Sequence, residues 1–312
     1  MKARDITLAV LVATLWGLNF VVIHVALDSF PPLLLTALRY LVAAFPAVLL
    51  IGRPQAAWRW VLVVGVLNGA LQFGLLFTAI RLGMPAGLAS LLLPSLAMLF
   101  TALFAAGLLG ERLGARQRTG MALALTGIAL VATGYGQASP LLALALTVAS
   151  AACWALGNIA TRKAAPPDAF RFIAWTSVVP PLPLFALSAA VEGTASWQEA
   201  FSRLSPTAVG TVVYLGWVAT ILGFGIWAGL LRRNDAGAVV PYALLVPVVG
   251  MSAAALLLGE RLSVLRVVAA AVVIAGVAVL SRPGRRRPPT PNAAEHRDEQ
   301  REPRRSASDR AS

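Results

Sequence analysis

The chain has 312 residues, of which 58% are hydrophobic and only 12% charged, with a mean hydropathy of +0.78. A soluble domain carries roughly 25% charged residues, so these few charges cannot coat a water-soluble fold of this size, and lipid must surround most of it. The net charge of +13 does not point to nucleic acid, because the basic residues lie singly and in pairs between apolar runs and form no single patch.

Lys2, Arg4 and Asp5 open the chain and an apolar run follows from Ile6 to Leu27. That run is too long for the apolar segment of a signal peptide and reads as a first span retained in the mature protein. Further runs lie at about 32–51, 60–80, 85–109 and 116–134, then at 139–161, 169–191, 207–231, 236–258 and 264–281. Each matches the roughly 20 residues a helix needs to cross the hydrocarbon core, and none shows the ten-residue alternation of a barrel strand. The expected fold is all-α and integral to the membrane, with ten transmembrane helices.

Prolines inside these runs (Pro46, Pro94, Pro180, Pro181, Pro183 and Pro247) are tolerated where neighbours satisfy the freed carbonyls. Gly65-xxx-Gly69 and Gly225-xxx-Gly229 allow close helix approach and read as packing sites. Cys153, the one cysteine, lies within an apolar run and reads as a core thiol, with no intrachain disulfide and no metal-spaced partner.

With the N-terminus in the cytoplasm and ten alternating spans, only Arg81, Arg203, Arg261 and Arg266 fall outside and Arg39 within a span. All other arginines and both lysines fall inside, which predicts cytoplasmic termini. From 283 onward, prolines, arginines, acids and serines replace apolar periodicity, so 283–312 is expected to be a disordered, solvated, basic cytoplasmic tail.

Two stretches recur. Leu15-Trp16-Gly17-Leu18 matches Cys153-Trp154-Ala155-Leu156, and Leu108-Leu109-Gly110-Glu111-Arg112-Leu113 matches Leu257-Leu258-Gly259-Glu260-Arg261-Leu262. Gly127 and Gly276 follow the latter pair at equal distance. Each half, 1–137 and 138–282, then holds five spans. An odd number forces the second half to enter from the opposite side, giving two inverted five-helix repeats, an arrangement suited to alternating access around a midplane site.

Within that frame Arg39 is the sharpest candidate. A charge at membrane depth costs at least about 2.5 kcal/mol, so it must find acceptors or face a cavity. It reads either as a partner for a substrate carboxylate or as a structural arginine bonding backbone carbonyls. Asn68 and Gln72, four apart, share a helical face and offer neutral amides to a zwitterion or to a neighbouring helix. Trp16 with Asn19, and Trp154 with Asn158, share faces at repeat-related positions and are expected at the central cavity. Thr220, Tyr242 and Ser90 are further polar positions. His24 could couple transport to protons, or sit silently at a helix end. No acid lies deep in a span: Asp28, Glu111 and Glu260 are all near ends.

Nearly the whole chain, from about 2 to 282, resembles the EamA family of the drug/metabolite transporter superfamily. The resemblance is carried by Leu15-Trp16-Gly17-Leu18-Asn19-Phe20, Phe30-Pro31-Pro32 through Leu38-Arg39-Tyr40, and Gly83-Met84-Pro85-Ala86-Gly87-Leu88-Ala89-Ser90. In the second half it is carried by Gly157-Asn158-Ile159, Val218-Ala219-Thr220-Ile221 through Trp227, and Leu245-Val246-Pro247-Val248-Val249-Gly250 running to Glu260. The pattern is most similar to bacterial exporters of O-acetylserine and cysteine, with departures at His24, Pro94 and Ala155. The resemblance implies ten helices, cytoplasmic termini, and export of an amino-acid-type metabolite across the bacterial plasma membrane. The partners it implies are a small-molecule substrate and the lipid bilayer, with no cofactor or metal.

Other classes fit less well. An intramembrane enzyme needs a nucleophile–base set or metal ligands, and the chain has no His-Glu-x-x-His, no Gly-x-Ser-x-Gly and two histidines in all. Thr133-Gly134-Tyr135-Gly136 occurs once, at a span end, and reads as a helix-terminating turn instead of an ion filter. A drug/metabolite exporter of another substrate class, or a sensor or lipid-handling membrane protein, is the alternative. The scarcity of deep acids argues against cationic substrates. Oligomeric state is not legible from these residues.

Overall fold

The computed structural model describes residues 1–45, 47–111, 113–133, 141–261 and 263–281. The basic tail at 283–312, the turn residues 134–136, Pro46, Arg112 and Leu262 lie outside the described residues. Among the described residues all regular structure is helical, and nine helices are long and apolar enough to cross a membrane. They are α1 (Ala3–Ala26), α2 (Pro32–Leu50), α3 (Trp58–Arg81), α4 (Ala86–Leu109), α6 (Leu141–Ala164), α7 (Ala169–Val191), α8 (Pro206–Arg233), α9 (Pro241–Leu258) and α10 (Val264–Ser281). The remaining helix of the series, α5 (Ala115–Thr133), has 19 residues, but Arg116, Gln117 and Arg118 occupy its first turn and make it less apolar than the nine.

Large apolar side chains cover the outside of the bundle: Leu50, Leu182 and Leu256 are 81%, 80% and 84% exposed. Such a surface is stable against hydrocarbon, not water. The chain is an integral membrane protein.

Small residues set how closely the helices approach. A Cβ on Gly17 would stand 2.6 Å from Val249 Cβ and one on Gly87 would stand 3.4 Å from Met251 Cα, so α1 and α4 both press against α9. On Gly127 it would stand 2.6 Å from Val273 and 2.8 Å from its amide, with Gly120 beside Leu280, so α5 runs antiparallel along α10. The neighbours come largely from opposite halves of the chain: α1 packs on α9 and α8, α2 on α7 and α8, and α6 on α4 and α3.

Regular helix is broken in several of the spans, among them α3, α7 and α8. α7 divides into Ala169–Thr176 and Pro181–Val191 at the Pro180-Pro181 pair, since Pro181 lacks an N–H and Pro180 forms the N-terminal boundary of the new helix. α3 and α8 each contain a wide-turned π segment, Gly65–Leu71 and Tyr214–Leu222. The α3 segment lies against the α7 break: a Cβ on Gly65 would stand 2.6 Å from Val179 Cβ and 2.7 Å from the Thr176 carbonyl. Gly65-xxx-Gly69 is therefore a close-approach site. Gly225 lies against the Phe170 ring, 3.2 Å from where its Cβ would be.

The two Gly-Glu motifs end their helices identically. Gly110 (φ +68°, ψ +18°) closes α4 and Gly259 (φ +68°, ψ +20°) closes α9, each in the left-handed conformation glycine adopts without penalty. In both, the next residue's N–H returns to a carbonyl of the last turn, Glu111 to Ala105 and Glu260 to Ala254. The Glu260 carboxylate meets the first residues of α4, whereas Glu111 follows its last. α4 has 24 residues and so measures about 36 Å, which puts the two glutamates at opposite ends of the bundle.

Candidate functional site

Arg39 is held where α2 and α8 meet. A Cβ on Gly216 would stand 2.9 Å from the Arg39 carbonyl and 3.1 Å from the Ala43 amide, so only a glycine lets the two backbones come this close. That contact brings the π segment of α8 alongside Arg39, and Thr220 lies four residues on from Gly216. The guanidinium donates to Thr220 Oγ1 through Nε (3.3 Å) and Nη2 (3.0 Å), while the Thr220 hydroxyl donates to the Leu215 carbonyl at 2.8 Å. The hydroxyl thus accepts from the cation and relays it onto backbone.

The rest of the guanidinium is surrounded by rings. Its carbon lies 3.9 Å from the Phe73 centroid, 5.6 Å from Tyr40 and 5.9 Å from Phe77. A desolvated cation–π contact supplies about 2 kcal/mol, and hydrogen bonds to a charged group about 1.5–3 kcal/mol. Together they offset the insertion cost and explain how Arg39 can be 2% exposed. Yet Nη1 is buried without a partner. Among the described residues the ion pairs join Arg162–Glu111, Arg171–Asp168, Arg203–Glu199 and Arg233–Asp5, and none involves Arg39. A cation without a counter-ion among the described residues, with both N–H groups of Nη1 unpaired, is able to receive an anionic group.

Two neighbouring side chains close on carbonyls of the wide-turned segments. Tyr40 Oη donates to the Asn68 carbonyl (3.1 Å), and Trp16 Nε1 donates to that of Ala219 (3.0 Å), the residue before Thr220. Tyr214 Oη donates to the Leu15 carbonyl (2.8 Å), and Ser150 Oγ to the Gln72 carbonyl (2.7 Å). Trp16 is flanked by Phe224 and Trp227, with ring centroids 4.9 and 5.3 Å away. π segments inside helices recur at functional sites; here the α8 segment bonds Arg39 through Thr220 and the α3 segment accepts from the neighbouring Tyr40.

The structure gathers Arg39, Trp16, Asn68 and Thr220 into this neighbourhood, with Gln72 buried beside Phe73 in the chain. Asn19, one turn beyond Trp16, is 7% exposed and its Oδ1 has no partner; Asn68 Oδ1 is likewise buried and unpartnered. Asn68 rests on Gly157 of α6, where any Cβ would collide with its amide. Asn158 is engaged elsewhere, its Nδ2 donating to Thr101 Oγ1 of α4 at 3.3 Å, and Trp154 packs half-buried in the core. His24 is exposed on the last turn of α1. Ser90 Oγ donates to the Gly87 carbonyl of its own helix. Phe73, Tyr40 and Tyr214 were not among the residues the sequence singled out. Their signal was adjacency, since Tyr40 follows Arg39 and Phe73 follows Gln72. Among the described residues no group of three or more His, Cys, Asp or Glu could hold a metal ion.

The model of the EamA-like transporter family matches this chain twice, over residues 4–133 and 141–282. The "Probable amino-acid metabolite efflux pump" of Escherichia coli (strain K12) is 41% identical over 283 residues, covering 89% of this chain and 94% of that protein. The protein of the same description in Salmonella typhimurium is also 41% identical, over the same shares. A "Probable terminal-alkyne amino-acid exporter" of Streptantibioticus cattleyicolor is 30% identical over 289 residues, covering 89% and 94%. A solved crystal structure superposes with a TM-score of 0.62 at 23% identity, covering 90% of this chain and 99% of its own, and shares the fold. The chain belongs to the EamA-like transporter family.

Proposed function

We propose that the protein exports a small amino-acid-type metabolite, cysteine- or O-acetylserine-like, by alternating access between two inverted five-helix halves, 1–137 and 138–282. On this reading the chain crosses the inner membrane of a bacterial cell ten times, α5 crossing beside α10, and both termini are cytoplasmic. The exchange of packing partners between halves and the placement of the two Gly-Glu motifs at opposite ends of α4 support the inverted arrangement. So do the printed descriptions of the relatives as amino-acid metabolite efflux pumps and an amino-acid exporter.

One observation carries the substrate class: a buried Arg39 with Nη1 unpaired and, among the described residues, no acidic partner. It would take the carboxylate. The free carbonyl oxygens of Asn19 and Asn68 would accept from the ammonium group, with Gln72 and the Trp16 ring completing the room. Trp154 and Asn158 occupy the repeat-related positions on α6 and would join the lining as the halves rock. This division of labour recognises a zwitterion without burying a second protein charge.

The test is uptake of labelled cysteine, O-acetylserine and neutral amino acids into inverted membrane vesicles. Saturable accumulation of at least one of the first two, with competition by the other, is expected. If none accumulates or competes, the substrate assignment is wrong.

A further inference from the structure

Glu111 and Glu260 occupy matching places in the two halves, yet they are engaged differently. Each follows a left-handed glycine at the end of a helix, Gly110 and Gly259, with indistinguishable backbone geometry. Glu260 is half-buried. Its Oε1 accepts from the Ala86 N–H at 2.7 Å and its Oε2 from the Gly87 N–H at 3.1 Å, so a carboxylate from the second half caps the first turn of α4 in the first. A Cβ on Gly87 would stand 2.9 Å from Oε2, and the glycine leaves room for that approach.

Glu111 is exposed and bonded to Arg162 at the end of α6. The repeat supplies it with a second address. The Ala86-Gly87 that Glu260 caps recurs as Ala236-Gly237, which opens the short helical turn Ala236–Val239 leading into α9. That entry is irregular, a helical turn followed by the tighter-wound Val240–Leu244, before the regular helix begins at Leu245. α4, by contrast, starts as regular helix from Ala86.

A second cross-half carboxylate lies at the Glu260 end. Glu192, at the end of α7, accepts from the Leu33 N–H (2.7 Å) and Leu34 N–H (3.1 Å) in the first turn of α2, and is braced by Ser188. Arg81 ties the end of α3 to the Leu27 carbonyl at the end of α1, close in sequence to both capped helices. Two carboxylates of the second half therefore fasten two helix N-termini of the first at one end of the bundle. Both use charge-assisted bonds to amides that a helix leaves unpaired. At the Glu111 end, among the described residues, an exposed Arg162–Glu111 pair joins α4 to α6, the weaker kind of tie, and Asp5 of α1 meets Arg233 (3.6 Å) and the Asn234 amide (3.1 Å) at the end of α8.

We propose that Glu260 and Glu111 are reciprocal latches. In the conformation described here Glu260 caps α4 and holds its end of the bundle closed. In the opposite conformation Glu260 releases Ala86 and Gly87, while Glu111 leaves Arg162 and caps Ala236 and Gly237, closing the other end. The device goes beyond the substrate assignment, because neither latch touches the Arg39 site.

The test uses the full chain in liposomes without substrate, with Cys153→Ser and pairs of spin labels read by pulsed electron–electron resonance. One pair sits at Leu82 and Arg261 beside Glu260, the other at Leu108 and Asp235 beside Glu111; all four side chains are exposed. Glu260→Gln should shift the ensemble on the order of tenfold, from a short 82–261 separation toward a short 108–235 separation. Glu111→Gln should do the reverse and remove the short 108–235 population. Ala86→Pro and Ala236→Pro delete the capped N–H at helix positions where proline is accepted. They should reproduce the Glu260 and Glu111 variants respectively, without altering either carboxylate. If Glu111→Gln and Ala236→Pro leave both distributions as in the wild type, or if Glu260→Gln opens its own end without closing the other, the latches are not reciprocal. Since neither distance depends on what is carried, this failure is distinct from a failed transport assay.

Discussion

Arg39 and Thr220 are joined by two hydrogen bonds from one guanidinium to one hydroxyl, at 3.3 and 3.0 Å, across the contact between α2 and α8. Thr220 belongs to the π segment of α8, so irregular backbone lies beside the one arginine that is buried among the described residues. Thr220 acts on Arg39 and not on solvent. It occupies Nε and Nη2 and leaves Nη1 unpaired.

Thr220→Val keeps the shape of the side chain and removes the hydroxyl. Two bonds from a charged donor are lost, each of about 1.5–3 kcal/mol before rearrangement. Export should fall by about tenfold or more, with the Michaelis constant rising and membrane insertion unchanged. Thr220→Ser should retain most of the activity. Equal loss in both variants would show that the methyl packing matters and the hydroxyl does not.

Gly65→Ala should destabilise the protein without touching Arg39. The added methyl would stand 2.7 Å from the Thr176 carbonyl, which is backbone and cannot swing away. Overpacking of this kind costs about 1–3 kcal/mol, so thermal unfolding in detergent should occur several degrees below the wild type. An unchanged melting temperature would mean that α3 and α7 are less closely packed than described.

Glu192→Ala removes the cap on α2, leaving the Leu33 and Leu34 amides without their carboxylate. Loss of a helix cap costs about 0.5–2 kcal/mol, again read as a lower melting temperature. Glu192→Gln, which keeps an acceptor, should recover part of it. The Trp197 indole, which donates to Ser188 Oγ at 2.8 Å, should report the change in its fluorescence.

His24→Gln should transport as the wild type does under an imposed pH gradient, because the imidazole is exposed at the end of α1 and stands outside the Arg39 neighbourhood. Export that no longer responds to the gradient in that variant would assign proton coupling to His24.

Much of this architecture was readable from run length, because an apolar stretch of some 20 residues admits few outcomes besides a spanning helix. The nine apolar helices fall close to where the runs lie, and Arg39 stood out because an unexplained charge in such a run has to be explained. The Gly-Glu repeat was equally legible, since only glycine ends a helix in the left-handed conformation at no steric cost. The π segments were not. No periodicity separates Gly65–Leu71 from ordinary helix, and in a segment bonded i to i+5 a spacing of four no longer completes one turn. Asn68 lies inside that segment and Gln72 directly after it, and contacts with Tyr40, Gly157 and Ser150 describe where they sit. Thr220 stayed in the background for a similar reason: its partner lies 181 residues away, and only the fold makes Gly216 the point where α2 and α8 touch.

The most direct measurement compares two competitors of labelled cysteine uptake in inverted vesicles: unlabelled cysteine, and the same molecule without its carboxylate, cysteamine. With the native chain, cysteine should compete and cysteamine should not. Arg39→Ala should abolish uptake while inserting normally. If that variant transports at the native rate and keeps the same preference, the buried guanidinium is scaffolding and does not bind a substrate carboxylate.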